Sequence, residues 1–361
     1  MKSRIREGAI ILASAAVLLI ASETFVRLLF PQDIRVDLQN GPPIGMNDRV
    51  LGHVNTPGAH AVITGPEYSA EYRVNASGMR DESPHPFPKT PGVTRILLLG
   101  DSFTWGAGVR YEDTWPVVFE RACGASGNPV DVIKAGVSGY DTRQEVLYLE
   151  RLFPIYSPDL VVIAFLPNDL FTNLPVAGSD SLESARAAGQ DSLLVRNQGD
   201  KTSMLQAATL LKRMLISNDY LYTSFYFNTD RSRYFTLPKD ARLEGQMQIT
   251  KNLLWRAAEY CRWKGAGFAV LSIPQEVQVL MKARSFRRHG IDVDFIDNEF
   301  LLFAAEDGFE WFPALDDLAE RYRSGSADLY YRLDGHLNAA GSECVGDFFF
   351  RRLMLKDHQR S

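Results

Sequence analysis

The sequence predicts an α/β fold, a three-layer α/β/α sandwich around a central parallel sheet, preceded by an N-terminal membrane-anchor helix. Short apolar runs typical of buried parallel strands alternate along the chain with longer amphipathic helical patterns. The first of these runs ends at Gly-Asp-Ser (100–102), a tight turn at the sheet edge where open α/β sheets bind ligands. A basic and then strongly apolar start to the chain indicates the additional helix.

The first thirty residues have the pattern of a membrane segment. Three basic residues among the first six precede Ala9–Ala21, which is uncharged and mostly apolar. A second apolar piece, Thr24–Phe30, extends the segment to the roughly 20 residues that a spanning helix needs, with Glu23 and Arg27 one turn apart at its far end. We interpret residues 1–31 as an uncleaved signal anchor rather than a cleaved secretory signal, because no small-x-small cleavage site precedes a polar start. The leading basic residues predict a cytoplasmic N-terminus and a periplasmic or extracellular body.

Residues 32–92 differ in composition from the rest of the chain. They are rich in Pro, Gly and Asn and contain no long helical pattern. The alternation in Ala70–Asn75 is typical of a short strand, and Pro84–Pro88 is typical of extended chain. We therefore predict an extended connector with short strands between the anchor and the main domain.

From Thr94 onward, strands and helices alternate. Four apolar runs predict the strands of the parallel sheet, and they cover 95–100, 130–133, 160–165 and 267–273. Amphipathic patterns predict the helices that cover the sheet, and they cover 115–123, 143–153, 249–263 and 339–355. The last pattern carries an aromatic face that we expect to pack on the sheet.

The interval 171–245 interrupts this alternation. It begins with small and polar residues, continues with an apolar helical segment at Met204–Ile216, and ends in the aromatic-rich piece Tyr220–Phe227. A long insertion between core strands is often a lid or a substrate-binding element. The alternative is a surface excursion that only packs, and the sequence does not separate the two. Its aromatic side chains suit either stacking on sugar rings or holding an acyl chain.

Composition excludes several classes of protein. The 361 residues carry a net charge of −5, with 45% hydrophobic and 23% charged residues, as in an ordinary globular protein. No basic stripe indicates binding to nucleic acid. Cys123, Cys261 and Cys344 lie far apart and form neither a zinc pattern nor a disulfide framework. The sequence therefore implies no metal and no organic cofactor.

Four polar blocks follow strands or precede a helix, at points that a doubly wound sheet brings to one edge. Ser102 follows the first strand, Gly139 lies in the loop after the second, and Asn168 follows the third. Asp334 and His336 stand just before the last helix. Acyl transfer needs a nucleophile, a base, a group that orients the base, and neutral donors for an oxyanion. The set contains one of each.

The four blocks resemble, in order, those of the SGNH, or GDSL-like, hydrolase superfamily. The block Asp334-Gly335-His336-Leu337-Asn338 also resembles the Asp-Gly-His-x-Asn of a membrane-anchored, exported branch. The resemblance covers about residues 93–353 of a predicted domain at 93–356, and it implies the flavodoxin-like sandwich of that superfamily. Two departures are visible. The Asp stands two residues before the His instead of three, and Pro167 occupies a position where glycine is frequent.

The resemblance also implies roles for individual residues. Ser102 would be the nucleophile, His336 the general base and then the general acid, and Asp334 the residue that orients the imidazole. The oxyanion hole would consist of the Ser102 and Gly139 N–H groups and the Asn168 side-chain amide.

Four neighbouring residues have roles that the motifs do not assign. Trp105 and Tyr140 are expected either to line the pocket or to pack in the core. For Asp101 and Asp169 we expect structural hydrogen bonds to the turn backbones.

The resulting hypothesis is an SGNH-type serine esterase, anchored by its N-terminal helix, that acts on O-acyl or O-acetyl esters of cell-envelope or extracellular carbohydrate. Its partners would be the membrane and an ester substrate such as an acylated polysaccharide. Three alternatives stay open: an O-acetyltransferase of an exported polysaccharide, a lipase-like esterase, and a non-catalytic envelope scaffold. The choice of acceptor, water or a sugar hydroxyl, is not fixed by the motifs.

Overall fold

A computed structural model of the chain describes residues 2–31, 37–39, 43–82, 85–173, 206–325 and 328–360. Residues 174–205, which include the polar first part of the predicted insertion, lie outside the described residues.

The N-terminal segment forms one long helix, α1 (Lys2–Leu29). Its portion Arg6–Leu29 has 24 residues. The most apolar stretch of this portion has a mean hydropathy of 2.2, and only 6% of that stretch is buried. At about 1.5 Å per residue this portion is about 36 Å long, which exceeds the ~30 Å hydrocarbon core of a bilayer. The expected pair near its end is present, since Arg27 Nε donates to Glu23 Oε1 at 2.6 Å. By length and composition α1 fits both a membrane anchor and a signal sequence.

The predicted connector contains five short strands, β1 (Asp37–Gln39), β2 (Gly45–Asp48), β3 (Gly52–Asn55), β4 (His60–Thr64) and β5 (Ser69–Arg73). Strands β1, β4 and β5 form an antiparallel sheet in that order, and β2 and β3 form a separate hairpin. Ile63, Tyr68 and Tyr72 are buried there and pack in one cluster with Trp105 of the main domain. We call the segment at 43–82, which contains the β2–β3 hairpin and strands β4 and β5, the connector sheet. It has its own apolar contact with the main domain.

The main domain is built on five parallel strands, β6 (Thr94–Gly100), β7 (Val130–Gly136), β8 (Leu160–Phe165), β9 (Gly267–Ser272) and β10 (Glu310–Pro313). Their order is β7-β6-β8-β9-β10, and every neighbouring pair is parallel. The predicted fold class is confirmed. Strand β7 lies on one side of β6 and β8 on the other, so the chain changes direction across the sheet after β7. A topological switch point therefore lies at the carboxyl end of β6.

Strand β10 is absent from the sequence-based prediction. Its four residues are Glu-Trp-Phe-Pro, too short a run to stand out by periodicity. It forms the edge of the sheet and pairs only with β9 among the described strands. Only the tertiary pairing with β9 identifies it as a strand.

Eleven helices follow β6 within the described residues: α2 (Ser102–Trp105), α3 (Trp115–Ala125), α4 (Thr142–Tyr156), α5 (Asp169–Thr172), α6 (Gln206–Ile216), α7 (Asp219–Tyr226), α8 (Ala241–Lys264), α9 (Glu276–Ala283), α10 (Phe295–Asp307), α11 (Leu315–Arg323) and α12 (Ala339–Arg360). The four predicted helical patterns lie inside α3, α4, α8 and α12. Two 3₁₀ turns cover Tyr111–Asp113 and Asp230–Phe235.

The helices cover both faces of the sheet and produce three layers. Leu97 and Leu99 of β6 pack with α4, α8 and α10, whereas Ile96 and Leu98 pack with α3, α9, α11 and α12. All four side chains are at most 1% exposed. The near-continuous apolar run of β6 follows from burial on both faces.

Candidate active site

Ser102 lies at the switch point, one residue beyond the tight turn that ends β6. Gly100 is in register with Gly136 of β7 and with Ala164 of β8. A Cβ at Gly100 would lie 2.0 Å from Thr104 Oγ1, so the turn tolerates no side chain there. The Asp101 carboxylate accepts a hydrogen bond of 2.8 Å from the Phe103 N–H and starts helix α2 at Ser102.

The structure brings Ser102, His336 and Asp334 into one hydrogen-bonded line. His336 Nε2 lies 2.7 Å from Ser102 Oγ, and His336 Nδ1 is hydrogen-bonded to Asp334 Oδ1. Gly335 between them has a φ of +91°, in the left-handed region that favours glycine. This backbone conformation allows Asp334 to reach a His only two residues away, so the unusual Asp-Gly-His spacing still gives the orienting contact.

Charges around His336 favour its protonated form. Burial opposes the imidazolium, but the hydrogen bond and charge of Asp334, with the charge of Asp101, raise the pKa of His336 above its ordinary 6.5. Burial also raises the pKa of Asp101 to about 6, against the hydrogen bond from Phe103. An imidazole of this kind can take a proton from Ser102 and hold it as a stabilised cation.

Gly139 and Asn168 flank Ser102 on either side of β6. Gly139 lies three residues beyond β7 with a φ of +83°, and Asn168 immediately precedes α5, three residues beyond β8. Among the described residues, neither the Gly139 N–H nor the Asn168 side-chain amide has a hydrogen-bond partner. Both donors therefore stay free of hydrogen bonds to the described part of the chain.

The connector sheet also contacts the loop that carries Asp334, and sequence reasoning missed this contact. Glu67 Oε2 accepts hydrogen bonds from the Leu333 N–H at 2.9 Å and from the Asp334 N–H at 3.1 Å. Tyr68 directs its hydroxyl toward Asp334 Oδ2 at 3.4 Å. Burial raises the pKa of Glu67, against these two backbone hydrogen bonds. The turn before β5 thus fixes the backbone that carries Asp334.

The β2–β3 hairpin holds the loop of the second block in a similar way. His53 Nε2 donates to the Ser138 carbonyl at 2.8 Å, and Tyr140 donates its hydroxyl proton to the His53 carbonyl at 2.7 Å. Asn55 Nδ2 donates to the Gly136 carbonyl at 3.1 Å. These contacts fix the backbone on either side of Gly139.

Arg80 holds the loop that follows Ser102. Its buried guanidinium donates to the Trp105, Gly106 and Val109 carbonyls at 2.6–2.8 Å. All these connector contacts join single positions far apart in the chain, so no local pattern in the sequence announces them.

The four neighbouring residues have structural contacts. Trp105 is 2% exposed and stacks on Tyr72, and Tyr140 is 3% exposed, so both pack in the core and neither lines an open pocket. Asp101 and Asp169 accept hydrogen bonds from the backbone of their own turns, as expected. Asp169 also accepts the Thr142 hydroxyl at 3.2 Å, and burial raises its pKa well above the ordinary value.

Glu67→Ala is expected to lower the turnover of an ester substrate about tenfold with little change in KM. The substitution leaves the Leu333 and Asp334 N–H groups without their acceptor, which costs about 1–3 kcal/mol and loosens the loop that carries Asp334. Glu67→Gln keeps a carbonyl acceptor and is expected to recover most of the rate. Steady-state kinetics on both variants, with thermal unfolding as the control for folding, checks this. A KM increase at constant kcat would contradict a positioning role.

A family model and a curated protein each match part of this chain. Residues 98–215 match the model of the GDSL-like Lipase/Acylhydrolase family. An arylesterase from Vibrio mimicus is 33% identical over 81 residues, which is 22% of this chain and 40% of the arylesterase. The chain therefore spans less than half the length of this curated relative.

Two solved structures match this chain at low identity and with TM-scores below 0.5. The psychrotrophic esterase EstA from Pseudoalteromonas is 13% identical with a TM-score of 0.40, over 74% of this chain and all of EstA. TesA is 14% identical with a TM-score of 0.42, over 72% of this chain and 98% of TesA. These two likenesses are too distant to assign an activity.

Proposed function

We propose that this chain, which belongs to the SGNH (GDSL-like) hydrolase superfamily, is a membrane-anchored serine esterase. The observation that carries the proposal is the continuous hydrogen-bonded line from Ser102 Oγ through His336 to Asp334. A serine, an imidazole and a carboxylate in this arrangement are the parts of a nucleophilic acyl-transfer site. A purely structural role would not require unpartnered donors at Gly139 and Asn168 beside the same serine.

In the proposed mechanism, His336 Nε2 removes the proton of Ser102 Oγ as the oxygen attacks the ester carbonyl. The Ser102 and Gly139 N–H groups and the Asn168 amide stabilise the tetrahedral oxyanion. His336 then gives its proton to the leaving alcohol, and the C–O bond of the ester breaks to leave an acyl-enzyme on Ser102. A water or an acceptor hydroxyl then attacks the acyl carbon while His336 takes its proton. The bond between the acyl carbon and Ser102 Oγ breaks, and His336 returns the proton to Ser102 Oγ. Asp334 holds the ring tautomer and stabilises the imidazolium in both halves.

For the substrate we propose O-acyl esters of envelope carbohydrate. A cavity of about 510 Å³ includes Arg332, two residues before Asp334, and it is lined by Ser217, Asn218, Asp219, Tyr220, Arg284, Phe286, Tyr322, Asp328 and Arg332. Charged groups with aromatic rings suit a ligand rich in hydroxyls better than an acyl chain. Part of the predicted insertion, the start of α7, belongs to this cavity, in line with a substrate-binding role.

For the location we propose that α1 is retained as an anchor and that the catalytic body lies on the extracytoplasmic side. The carboxylate of Glu23 accepts hydrogen bonds from the Gln206 and Ala207 N–H groups at 3.0 Å each. Removal of α1 would leave these two donors at the start of α6 without their acceptor, which supports retention over cleavage.

A fluorophosphonate ester tests the proposed nucleophile, since it phosphonylates a serine only where a base activates the hydroxyl. The full-length protein in detergent is expected to be labelled on Ser102 near neutral pH. Ser126→Ala is the matched control, because it removes the hydroxyl of an exposed serine at the end of α3. It is expected to leave labelling intact. Labelling that persists in Ser102→Ala, or no labelling of the parent protein, would reject the enzyme and favour the scaffold.

The same preparation separates an esterase from a transferase. Release of acetate from an acetyl ester without any acceptor supports the esterase. Little hydrolysis together with acetylation of an added oligosaccharide would show instead that the acyl-enzyme is passed to a sugar hydroxyl.

A further inference from the structure

We propose that helix α6 is a second membrane contact, which lies in the lipid headgroup region beside the anchor helix and seats the catalytic body on the bilayer. The inference rests on the anchor proposed above and is independent of the catalytic chemistry. Three observations carry it: where α6 is attached to α1, which side chains it exposes, and what its other side holds.

Helix α6 is attached inside the apolar part of α1. Both oxygens of the Glu23 carboxylate accept hydrogen bonds from the N-terminus of α6, and Val26, one turn further along α1, is only 7% exposed. Glu23 precedes the end of α1 at Leu29 by six residues, or roughly 9 Å of helix. If α1 spans the membrane, α6 therefore begins at the depth of the interface between headgroups and acyl chains.

The outward side of α6 is apolar and carries a cation. Leu211 and Met214 are 57% and 65% exposed. Lys212, which lies between them in the sequence, is exposed as well. The opposite side faces the protein, since Ile216 is buried and Arg213 Nη2 donates to the Pro66 carbonyl at 2.8 Å. An amphipathic helix with a basic residue is the pattern of a segment that lies in a membrane interface.

The end of α1, the helix to which α6 is attached, also exposes apolar side chains. Phe25, Leu28, Leu29 and Phe30 at the end of α1 are each at least half exposed. The hydrogen bonds at Glu23 join the two helices, so exposed apolar side chains lie on two helices that are in contact. Exposed apolar surface on neighbouring elements marks an interaction site. We assign it to lipid because it adjoins the one described helix that is able to span a bilayer.

The protein-facing side of α6 leads to the catalytic loop. Arg213 donates a hydrogen bond to the Pro66 carbonyl. The next residue, Glu67, accepts hydrogen bonds from the N–H groups of Leu333 and Asp334. A membrane-bound α6 would hold this turn, and with it the loop that carries Asp334, close to the bilayer surface. Substrate esters are then taken from molecules at that surface.

Depth-dependent quenching tests the proposal on the full-length protein in vesicles of phosphatidylcholine and phosphatidylglycerol. Single cysteines at Leu211 and Met214, in a Cys344→Ser background, carry an environment-sensitive fluorophore. We expect brominated lipids to quench both labels at least threefold more strongly than a label at Leu302→Cys. Leu302 is a matched control, because it is an apolar α10 residue with 68% exposure.

Other occupants of the face give different results. Equal quenching at positions 211, 214 and 302 would overturn the proposal. A second copy of the chain on α6 would shield the labels from lipid and from aqueous iodide alike, which would also overturn it. A label at Leu18→Cys reports the anchor itself, so its failure to be quenched would reject the anchor and the α6 contact together. Fluorophosphonate labelling of Ser102 is measured separately, so failure of the esterase proposal is distinguishable from failure of this one.

Discussion

Ser102→Ala is expected to lower kcat for an ester substrate by about 10⁶-fold and to leave KM within a few-fold of the parent value. The substitution removes the atom that we propose forms the acyl-enzyme, whereas the donors proposed for the oxyanion stay in place. Ser102 is the first residue of a helix that Asp101 caps, so alanine fits without a change of backbone. Kinetics on the purified full-length protein, with active-site titration to exclude traces of parent enzyme, gives the ratio.

His336→Ala and the double variant with Ser102→Ala provide the stricter test. Residues that act as one unit are strongly non-additive, so the double variant is expected to be no slower than either single variant. Effects that multiply would mean that Ser102 and His336 act independently. The 2.7 Å contact between Ser102 Oγ and His336 Nε2 would then have no catalytic meaning.

Asp334→Asn is expected to lower kcat by about 10⁴-fold, because an amide neither fixes the productive tautomer of His336 nor stabilises its cation. The pH profile should change as well. His336 must be neutral to act as a base, and its pKa is raised above 6.5, so the parent activity is lost as the pH falls through that raised value. Loss of the Asp334 charge lowers the pKa of His336, and the acid limb should move to lower pH.

Asp316→Asn is the matched control for this change, since it removes a carboxylate of α11 that is 77% exposed and does not line the cavity proposed for the substrate. Its rate and acid limb are expected to equal those of the parent protein. An unshifted acid limb in Asp334→Asn, with circular dichroism like the parent, would contradict the orienting role that we propose for Asp334.

Much of the architecture was predictable because it is written in local patterns. The runs at β6, β7, β8 and β9 are apolar enough to identify as buried strands without any knowledge of their neighbours. The amphipathic helices between them then require a parallel sheet with covered faces. The short edge strand β10 carries no such signal, and it is a strand only through its pairing with β9.

The candidate site was predictable in part. Ser102, Gly139 and Asn168 follow strands directly, so the topology alone brings them to one edge of the sheet. The two-residue spacing of Asp334 and His336 stayed a question until the φ of +91° at Gly335 was visible. Whether the aromatic rings of Trp105 and Tyr140 face a ligand or the core was equally a question of tertiary packing.

The sequence by itself determined the fold class, the apolar N-terminal helix and the set of residues proposed for acyl transfer, because periodicity and strand-end position are local properties. Only the tertiary structure decided that the connector sheet holds the loops of the candidate site. Its contacts at His53, Glu67 and Arg80 are hydrogen bonds to backbone groups far along the chain. Such bonds depend on where two distant segments meet in space and leave no periodic trace in the amino-acid order.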